Sequence, residues 1–175
     1  MFFETVRAIR IRRPGCRIEV LIPDLQGSND ALGTVLSSAP DVVNHNVETV
    51  PSQYPRVRPG ADYRRSLRLL ERAKQRGFVT KSGIMLGLGE GRDEVRSVLQ
   101  DLWSAGCGIL TIGQYLRPSL KHLPVEQYYR PEEFKELRAE ALDLGFHNVV
   151  SGPLVRSSYH ASRYGSEPAA MERTL

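Results

Sequence analysis

The sequence predicts an α/β fold with a parallel sheet, built as a barrel or as part of one. Short runs rich in valine, isoleucine and leucine alternate with amphipathic segments of 11–15 residues, which is the pattern of successive βαβ units. No GxGxxG motif follows the first predicted strand, so a dinucleotide-binding Rossmann fold has no support. Polar residues follow several predicted strands, and barrel folds gather their functional groups at the carboxyl ends of the strands.

Five strands and four helices are predicted along the chain. The first strand stops before Pro23, and Ser28, Asn29 or Asp30 can cap the helix that follows. Gly77 ends the second helix, and Pro131 fits the first turn of the fourth. The predicted strands cover residues 17–21, 41–50, 79–88, 108–116 and 148–150, and the predicted helices cover residues 28–38, 62–76, 92–105 and 131–144.

Composition narrows the class of protein. The chain has 175 residues, a size that suits one compact domain, and it has no run of about 18 apolar residues that would predict a membrane span. Cys16 and Cys107 lie far apart and outside any CxxC spacing. This predicts no disulfide framework, a cytoplasmic location and no local thiolate metal site built from this chain alone. The net charge of +4 favours acidic partners, although the basic clusters are interpreted as solvated helix faces.

The first candidate site follows the second strand. Alternation along an extended segment sends Asn44, Asn46 and Glu48 to one face, and His45 and Val47 to the other. Two carboxamides and a carboxylate on one face suit a ligand rich in hydroxyl, amine and amide groups. The alternative interpretation is a hydrogen-bonded strand end without a ligand.

Three further clusters follow later strands. A glycine-rich run ends at Glu90, which could accept hydrogen bonds from a ligand or could complement the dipole of the next helix. Arg117 and His122 lie in a proline-containing loop after the fourth strand. Ser157 and Ser158 follow the last strand, but no base lies at triad spacing, so a serine hydrolase is not predicted.

Six blocks of the sequence, taken together and in order, resemble successive blocks of lipoyl synthases. The similarity covers about residues 4–160, and LTIGQYLRPS is among its most specific parts. It implies a radical S-adenosylmethionine enzyme that forms the C-terminal portion of a partial (β/α)6 TIM-like barrel. The blocks are VLIPDLQG, VVNHNVETV, VRPGADYRRSLRLLERAK, KSGIMLGLGE, LTIGQYLRPSLKHLPVEQYYRPEEF and SGPLVRSSYHA.

The resemblance also implies an activity, cofactors and partners. The family inserts two sulfur atoms, at C6 and C8, into an octanoyl chain carried on a lipoyl carrier domain of a 2-oxoacid dehydrogenase or of the glycine cleavage system. One [4Fe-4S] cluster cleaves S-adenosylmethionine to a 5′-deoxyadenosyl radical, and a second, auxiliary cluster donates sulfur.

Carried over position by position, the family's sites fall on residues of this chain. Ser158 matches the serine that ligates the auxiliary cluster and takes part in catalysis, with Ser157 as the fallback. Arg58 is the expected partner of the methionyl carboxylate, because an arginine fork suits a carboxylate. The remaining positions predicted at the S-adenosylmethionine site are Asn44, Asn46, Glu48, Gly87, Glu90, Gln114 and Tyr115.

The sequence departs from the family in one respect. The two cysteine triplets of the family, CX4CX5C and CX3CX2C, are not found in these 175 residues. We therefore expect that neither cluster assembles on this chain alone, that the isolated chain is inactive, and that the absence of the family's first strands leaves a sheet edge exposed. A truncated product, a misassigned start and one half of a split enzyme that pairs with a separate N-terminal half all fit this expectation.

Two other functions are weighed against this interpretation. The first is a basic nucleic-acid-binding module, although the arginines lie on separate predicted helices with no interleaved aromatic platform, which makes nucleic acid an unfavoured partner. The second is a cluster-free protein that still binds S-adenosylmethionine. Residues 1–160 are predicted to form the barrel portion, and residues 161–175 are predicted to be a disordered tail.

Overall fold

The computed structural model describes residues 1–158. Its centre is a sheet whose five strands lie side by side in chain order, with every neighbouring pair parallel. The predicted α/β fold with parallel strands is therefore confirmed. The predicted boundary at residue 160 and the predicted tail 161–175 lie outside the described residues. The strands are β1 (Glu19–Leu21), β2 (Val42–Asn44), β3 (Val79–Leu86), β4 (Ile109–Gln114) and β5 (Asn148–Gly152).

Six α-helices lie within the described part of the chain. The second, fourth, fifth and sixth helices agree with the sequence prediction to within one or two residues at each end. The first helix and a single-turn third helix were not predicted. The helices are α1 (Phe2–Arg12), α2 (Asn29–Leu36), α3 (Tyr54–Val57), α4 (Tyr63–Gln75), α5 (Arg92–Ser104) and α6 (Pro131–Leu144).

Local capping interactions set the helix ends. The Ser28 hydroxyl accepts a hydrogen bond from the backbone N–H of Ala31 (3.2 Å), which identifies Ser28 as the cap of α2. The Asp62 carboxylate caps α4 in the same way, by accepting from the N–H of Arg65 (2.8 Å). Helix α6 ends at Gly145, whose φ of +110° lies in the left-handed region that glycine adopts without strain.

The second strand is much shorter than the predicted strand at residues 41–50. Regular pairing stops at Asn44 because the backbone turns, and Glu48 has a φ of +67° that no extended strand can contain. The chain then touches the sheet again at one isolated bridge between Glu48 and Ile84. The predicted strand was therefore wrong over its second half, which is a turn.

Two clusters of buried apolar side chains join the helices to one face of the sheet. The larger cluster packs α4, α5 and α6 on β3, β4 and β5, and the smaller one packs α1, α2 and α4 on β1 and β2. Because side chains alternate along a strand, the intervening residues point to the opposite face. We call this opposite face, which carries Lys81, Gly83 and Met85, the inner face of the sheet.

A buried ion pair lies on the inner face. The Lys81 ammonium is fully buried and lies 3.0 and 2.9 Å from the two carboxylate oxygens of Glu19, two strands away. Asn44, on the strand between them, donates its Nδ2–H to Oε1 of Glu19 (2.7 Å). Since an unpaired buried charge is costly, these contacts are what allows a lysine inside the sheet.

A histidine is buried directly after β2, on the side of the sheet that faces the helices. The Nδ1–H of His45 donates to the carbonyl of Ile22 (2.8 Å), and Nε2 accepts from the Ser66 hydroxyl on α4 (2.9 Å). The Ile22 carbonyl can only accept, so Nδ1 carries a proton, and Nε2 accepts from Ser66 when the ring is neutral. Burial lowers the pKa of His45, and the charge of Arg58 adds to the effect.

This environment predicts that acid weakens the fold through His45. Below pH 6.5 the unfolded chain gains a proton on this ring, whereas the folded chain, with its lowered pKa, does not. The free energy of unfolding should therefore fall by about 1.4 kcal/mol for each further pH unit until the folded pKa is reached. Urea unfolding from pH 7 to pH 5 measures this slope. In His45→Gln the slope of unfolding free energy against pH should be smaller by the contribution of about one proton. An identical slope in the variant would contradict the assignment.

No helix within residues 1–158 is long and apolar enough to cross a membrane.

Candidate functional site

A cavity of about 250 Å³ opens on the inner face, towards the carboxyl ends of the strands. The turn after β2, the strands β3 and β4, and the segment after β5 each contribute to its wall. This is the position where parallel barrels collect their functional groups. Its lining includes Asn46, Glu48, Gly83, Met85, Thr111, Gly113, Arg156 and Ser157.

Asn46 and Glu48 place a carboxamide and a carboxylate in the wall of the cavity. The Oδ1 atom of Asn46 is buried and accepts no hydrogen bond from the described residues. Burial raises the pKa of the Glu48 carboxyl, while a hydrogen bond from Asn46 and the charge of Arg58 partly offset this rise. A buried acceptor without a donor costs free energy, so this wall suits a ligand that supplies N–H or O–H groups.

Two glycines on the inner face allow neighbouring segments to pack closely against the sheet at the cavity. A Cβ atom at Gly83 would lie 2.6 Å from the hydroxyl of Thr111 and 3.0 Å from Oδ1 of Asn46. A Cβ atom at Gly113 would overlap the carbonyl oxygen of Val155. The absence of side chains therefore lets the turn after β2 and the segment after β5 approach the sheet closely.

The structure uses three predicted site residues to hold its own loops. Glu90 accepts hydrogen bonds from the backbone N–H groups of Gly87 (2.6 Å) and Leu88 (2.9 Å), which closes the turn after β3. Gln114 is buried and forms hydrogen bonds with backbone groups at the end of β3 and in the loop before α6. The Tyr115 hydroxyl donates to the carbonyl of Leu123 (2.9 Å). None of these side chains lines the cavity, and their assignment to a cofactor stays a prediction.

Gln114 ties the end of β4 to the loop before α6. Its Nε2 donates to the carbonyls of Leu86 (3.0 Å) and Gln127 (3.0 Å), and its Oε1 accepts from the N–H of Tyr129 (3.0 Å). This position leaves no room for a side chain at Gly87, whose Cβ would overlap the Gln114 amide. The predicted site residues Gly87 and Gln114 are thus in contact with each other.

Asn44 and Arg58 lie beside the cavity rather than in its wall. Asn44 is buried at the end of β2, where its Nδ2–H donates to Glu19. Its Oδ1 has no hydrogen-bond partner among the described residues. Arg58 directs its guanidinium to backbone carbonyls of the turn after β2, at 3.2 Å from the oxygen of Asn46. Its assignment to a ligand carboxylate stays a prediction.

The two candidate serines differ in position. Ser157 is half-buried and lines the cavity, whereas Ser158 is exposed and does not. Within residues 1–158, no group of three or more His, Cys, Asp and Glu side chains could hold a metal ion. Burial raises the pKa of the Cys107 thiol to about 12, and this thiol lies in the core behind the sheet.

Sequence reasoning missed several residues that the structure brings to the inner face. Met85, Thr111 and Arg156 line the cavity, and Lys81 lies on the same face two residues before Gly83. The alternation of side chains along β3 was the available signal, because it places Lys81, Gly83 and Met85 together once the strand is recognised. No sequence signal marked Glu19 as the partner of Lys81.

Comparison with known proteins identifies the class. The profile described as the radical SAM superfamily matches residues 1–102, which is more than half of the chain. The chain belongs to the radical SAM superfamily, and membership implies S-adenosylmethionine and a [4Fe-4S] cluster as the cofactors of the family. The cavity fits the former, because the unpartnered Oδ1 of Asn46 and the Glu48 carboxylate suit the ammonium and hydroxyl groups of that molecule. The described residues do not supply a ligand set for the latter.

Curated relatives point to one group within this class, which confirms the resemblance seen in the sequence. The chain is 56% identical to the lipoyl synthase of Chlorobaculum parvum over 162 residues, covering 92% of this chain and 56% of that protein. It is 54% identical to the lipoyl synthase of Koribacter versatilis (92% and 54% covered) and 55% identical to that of Mycobacterium avium (93% and 53% covered). The chain spans about half the length of these curated relatives.

Solved structures show the same fold at low sequence identity. A methylornithine synthase aligns with a TM-score of 0.65 at 17% identity, covering 85% of this chain and 50% of that one. A domain of a pyruvate-formate lyase-activating enzyme from Bacteroides vulgatus aligns with a TM-score of 0.64 at 14% identity, covering 85% and 88%. These likenesses support the barrel-type arrangement of the sheet and helices. None of these comparisons favours the nucleic-acid-binding alternative.

Proposed function

We propose that this chain carries the S-adenosylmethionine-binding face of a lipoyl synthase. In that function, two sulfur atoms are inserted at C6 and C8 of an octanoyl group on a lipoyl carrier domain. The observation that carries the proposal is identity above 50% to lipoyl synthases along more than nine-tenths of the chain. A cytoplasmic location remains part of the proposal and rests on the cysteine count alone.

The polar wall of the cavity supports the cofactor half of the proposal. Asn46 and Glu48 offer a carboxamide oxygen and a carboxylate in the same wall. The Oδ1 atom of Asn46 accepts no hydrogen bond from the described residues, and the Glu48 carboxylate accepts one from Asn46. S-adenosylmethionine carries an ammonium and two ribose hydroxyls that can donate to such acceptors.

The iron–sulfur chemistry is a separate part of the proposal. When bound, a [4Fe-4S] cluster supplies the electron that starts the radical reaction, and a second, auxiliary cluster supplies sulfur. We assign Ser158, or Ser157 as the fallback, as a ligand of the auxiliary cluster, which is supported by the match of the block SGPLVRSSYHA. The described residues hold no group of three or more His, Cys, Asp and Glu side chains that could bind either cluster.

Binding of S-adenosylmethionine to this chain tests the cofactor half. Glu48→Gln should weaken binding about tenfold, because it removes one charge-assisted hydrogen bond worth about 1.4 kcal/mol. The matched control is Asp93→Asn, which removes one negative charge at a side chain that is 95% exposed on α5. Equilibrium dialysis with labelled S-adenosylmethionine measures both. Equal affinities in the two variants would exclude Glu48 as a ligand of this cofactor.

The activity itself is tested with the protein purified from its own cells. Incubation with an octanoylated lipoyl carrier domain, S-adenosylmethionine and a reductant should replace a C–H bond at each of C6 and C8 by a C–S bond, which adds two sulfur atoms to the acyl group. Oxidation of the resulting dithiol to the disulfide then removes two hydrogens. Mass spectrometry of the carrier domain detects this change. Binding of S-adenosylmethionine without any change in the mass of the carrier domain would favour the alternative of a cluster-free protein that only binds the cofactor. Salt-sensitive binding of nucleic acid without binding of S-adenosylmethionine would favour the alternative module.

A further inference from the structure

The turn after β2 is strained at the residue that faces the cavity. Glu48 has a φ of +67°, a conformation that costs a non-glycine residue free energy unless its surroundings impose it. Two backbone hydrogen bonds fasten this residue to β3. The N–H of Glu48 donates to the carbonyl of Gly83 (3.0 Å), and the N–H of Met85 donates to the carbonyl of Glu48 (2.8 Å).

Two side chains hold the same turn from behind. The Tyr54 hydroxyl donates to the carbonyl of Val47 (2.8 Å), and Nη1 of Arg58 donates to the carbonyls of Asn46 (3.2 Å) and Val47 (3.4 Å). The Arg58 guanidinium also lies over the Tyr54 ring, 5.6 Å from its centroid. Both residues come from α3 and its C-terminal end, which immediately follow the turn in the chain.

Neither side chain is placed to touch a ligand in the cavity. Tyr54 is only 6% exposed, and neither Tyr54 nor Arg58 belongs to the cavity wall. The Nη1 atom of Arg58 is already engaged by two carbonyls of the protein.

We infer that Tyr54 and Arg58 are positioning residues that hold the strained turn so that Asn46 and Glu48 face the cavity. Capture of the Asn46 and Val47 carbonyls fixes the peptide planes on the N-terminal side of Glu48. With those planes fixed, the backbone cannot relax to negative φ and turn the carboxylate away. What the cavity binds rests on the proposed function, whereas the conformation of the turn does not.

The tyrosine pair offers a matched comparison. Tyr54 and Tyr63 pack edge to face with centroids 5.6 Å apart, and both are almost fully buried. The Tyr63 hydroxyl donates to the Asp101 carboxylate on α5 (2.9 Å), away from the turn. Tyr63→Phe removes the hydroxyl that bonds Asp101, whereas Tyr54→Phe removes the hydroxyl that donates to Val47 and accepts from Nη1 of Arg58 (3.4 Å). Both variants remove a phenolic hydroxyl from the same aromatic cluster, and only Tyr54→Phe releases the turn.

Hydrogen–deuterium exchange of the backbone amides of Glu48 and Met85 is the test that needs no ligand. Tyr54→Phe should raise their exchange rates about tenfold, in line with the loss of one hydrogen bond. Tyr63→Phe should leave these rates unchanged at a similar loss in Tm. Arg58→Gln should also raise them, and Arg58→Lys, which keeps a donor, should restore part of the protection. Equal rates in the two phenylalanine variants would overturn the inference.

Affinity for S-adenosylmethionine is the second readout. Tyr54→Phe should weaken binding several-fold, whereas Tyr63→Phe should bind as the parent does. Faster exchange in Tyr54→Phe with parental affinity would overturn the part of the inference that concerns the cavity. If the parent itself does not bind S-adenosylmethionine, the proposed function fails, and the exchange rates still decide whether Tyr54 and Arg58 hold the turn.

Discussion

Gly87→Ala should lower the free energy of unfolding by about 4 kcal/mol, because it combines backbone strain with a collision. Gly87 has a φ of +106°, which residues with a side chain rarely adopt. Its Cβ would also overlap the amide nitrogen of Gln114 and the carbonyl oxygen of Gln127. The carbonyl belongs to the backbone, and the Gln114 amide is held by three carbonyls, so neither can move cheaply.

Gly77→Ala is the control for the backbone term alone. Gly77 also has a positive φ, of +85°, but its Cβ would meet no atom within 4 Å. We expect it to cost about 1 kcal/mol, which is the usual cost of a left-handed alanine. Urea unfolding of the parent and both variants gives the two values. Similar losses of unfolding free energy in the two variants would show that the loop after β4 moves to accommodate the new side chain. That result would contradict a rigid contact between Gly87 and Gln114.

The collision at Gly87 should also reach the candidate site. Gln114 joins the end of β4 to the loop that contains Gln127 and Tyr129, so a displaced Gln114 amide loosens both. The match to lipoyl synthases assigns Gly87 and Gln114 to the S-adenosylmethionine site, so affinity for this cofactor should fall in Gly87→Ala even where the chain remains folded. In Gly77→Ala, which lies at the opposite end of β3, affinity should equal that of the parent.

Glu19→Ala should lower the free energy of unfolding by about 3 kcal/mol, because it leaves the Lys81 ammonium inside the sheet without its carboxylate. Lys81 is fully buried, and both of its carboxylate contacts are 3.0 Å or shorter. Asn44 would lose the acceptor of its amide at the same time. The Glu19 side chain is 20% exposed, so water can partly replace it, and the expected loss lies at the low end for buried pairs.

Two controls separate the buried charge from the lost contact. The double variant Glu19→Ala with Lys81→Met removes both charges. It should recover most of the stability, because a buried site tolerates an apolar side chain better than an unpaired charge. Glu126→Ala breaks the ion pair with Arg56, whose partners are 41% and 43% exposed, and should cost less than about 0.5 kcal/mol. Chemical unfolding at pH 7 measures all three. A double variant as unstable as Glu19→Ala would mean that the buried charge is not the cause.

The helices were predictable because local patterns specify them. In α4, α5 and α6 the apolar residues recur at helical spacing, and a cap or a glycine marks an end. Helix α1 was missed because it buries a single residue, Val6, completely and so carries a weak apolar stripe. The parallel sheet followed from the alternation of strands and helices, because such connections leave few other arrangements.

The candidate site was predictable only in part. The pattern placed Asn46 and Glu48 on one side of the chain, and the structure does bring both to the cavity. It does so through a turn with positive φ rather than through a continuous strand. Asn44, predicted on the same side, points to Glu19 instead because β1 lies beside it. Side-chain alternation predicts the face of the sheet to which a side chain points, but the neighbouring strand determines which residue it contacts.

The sequence by itself determined the fold class, the order of its elements and the likeness to lipoyl synthases, because these depend on local periodicity and on blocks of consecutive residues. Only the tertiary structure decided which polar side chains face a ligand and which hold the protein together. Gln114 bonds the backbone carbonyls of Leu86 and Gln127, and Lys81 pairs with Glu19 across two strands. Hydrogen bonds between residues far apart in the chain depend on the packed sheet, and no local pattern of residues encodes them.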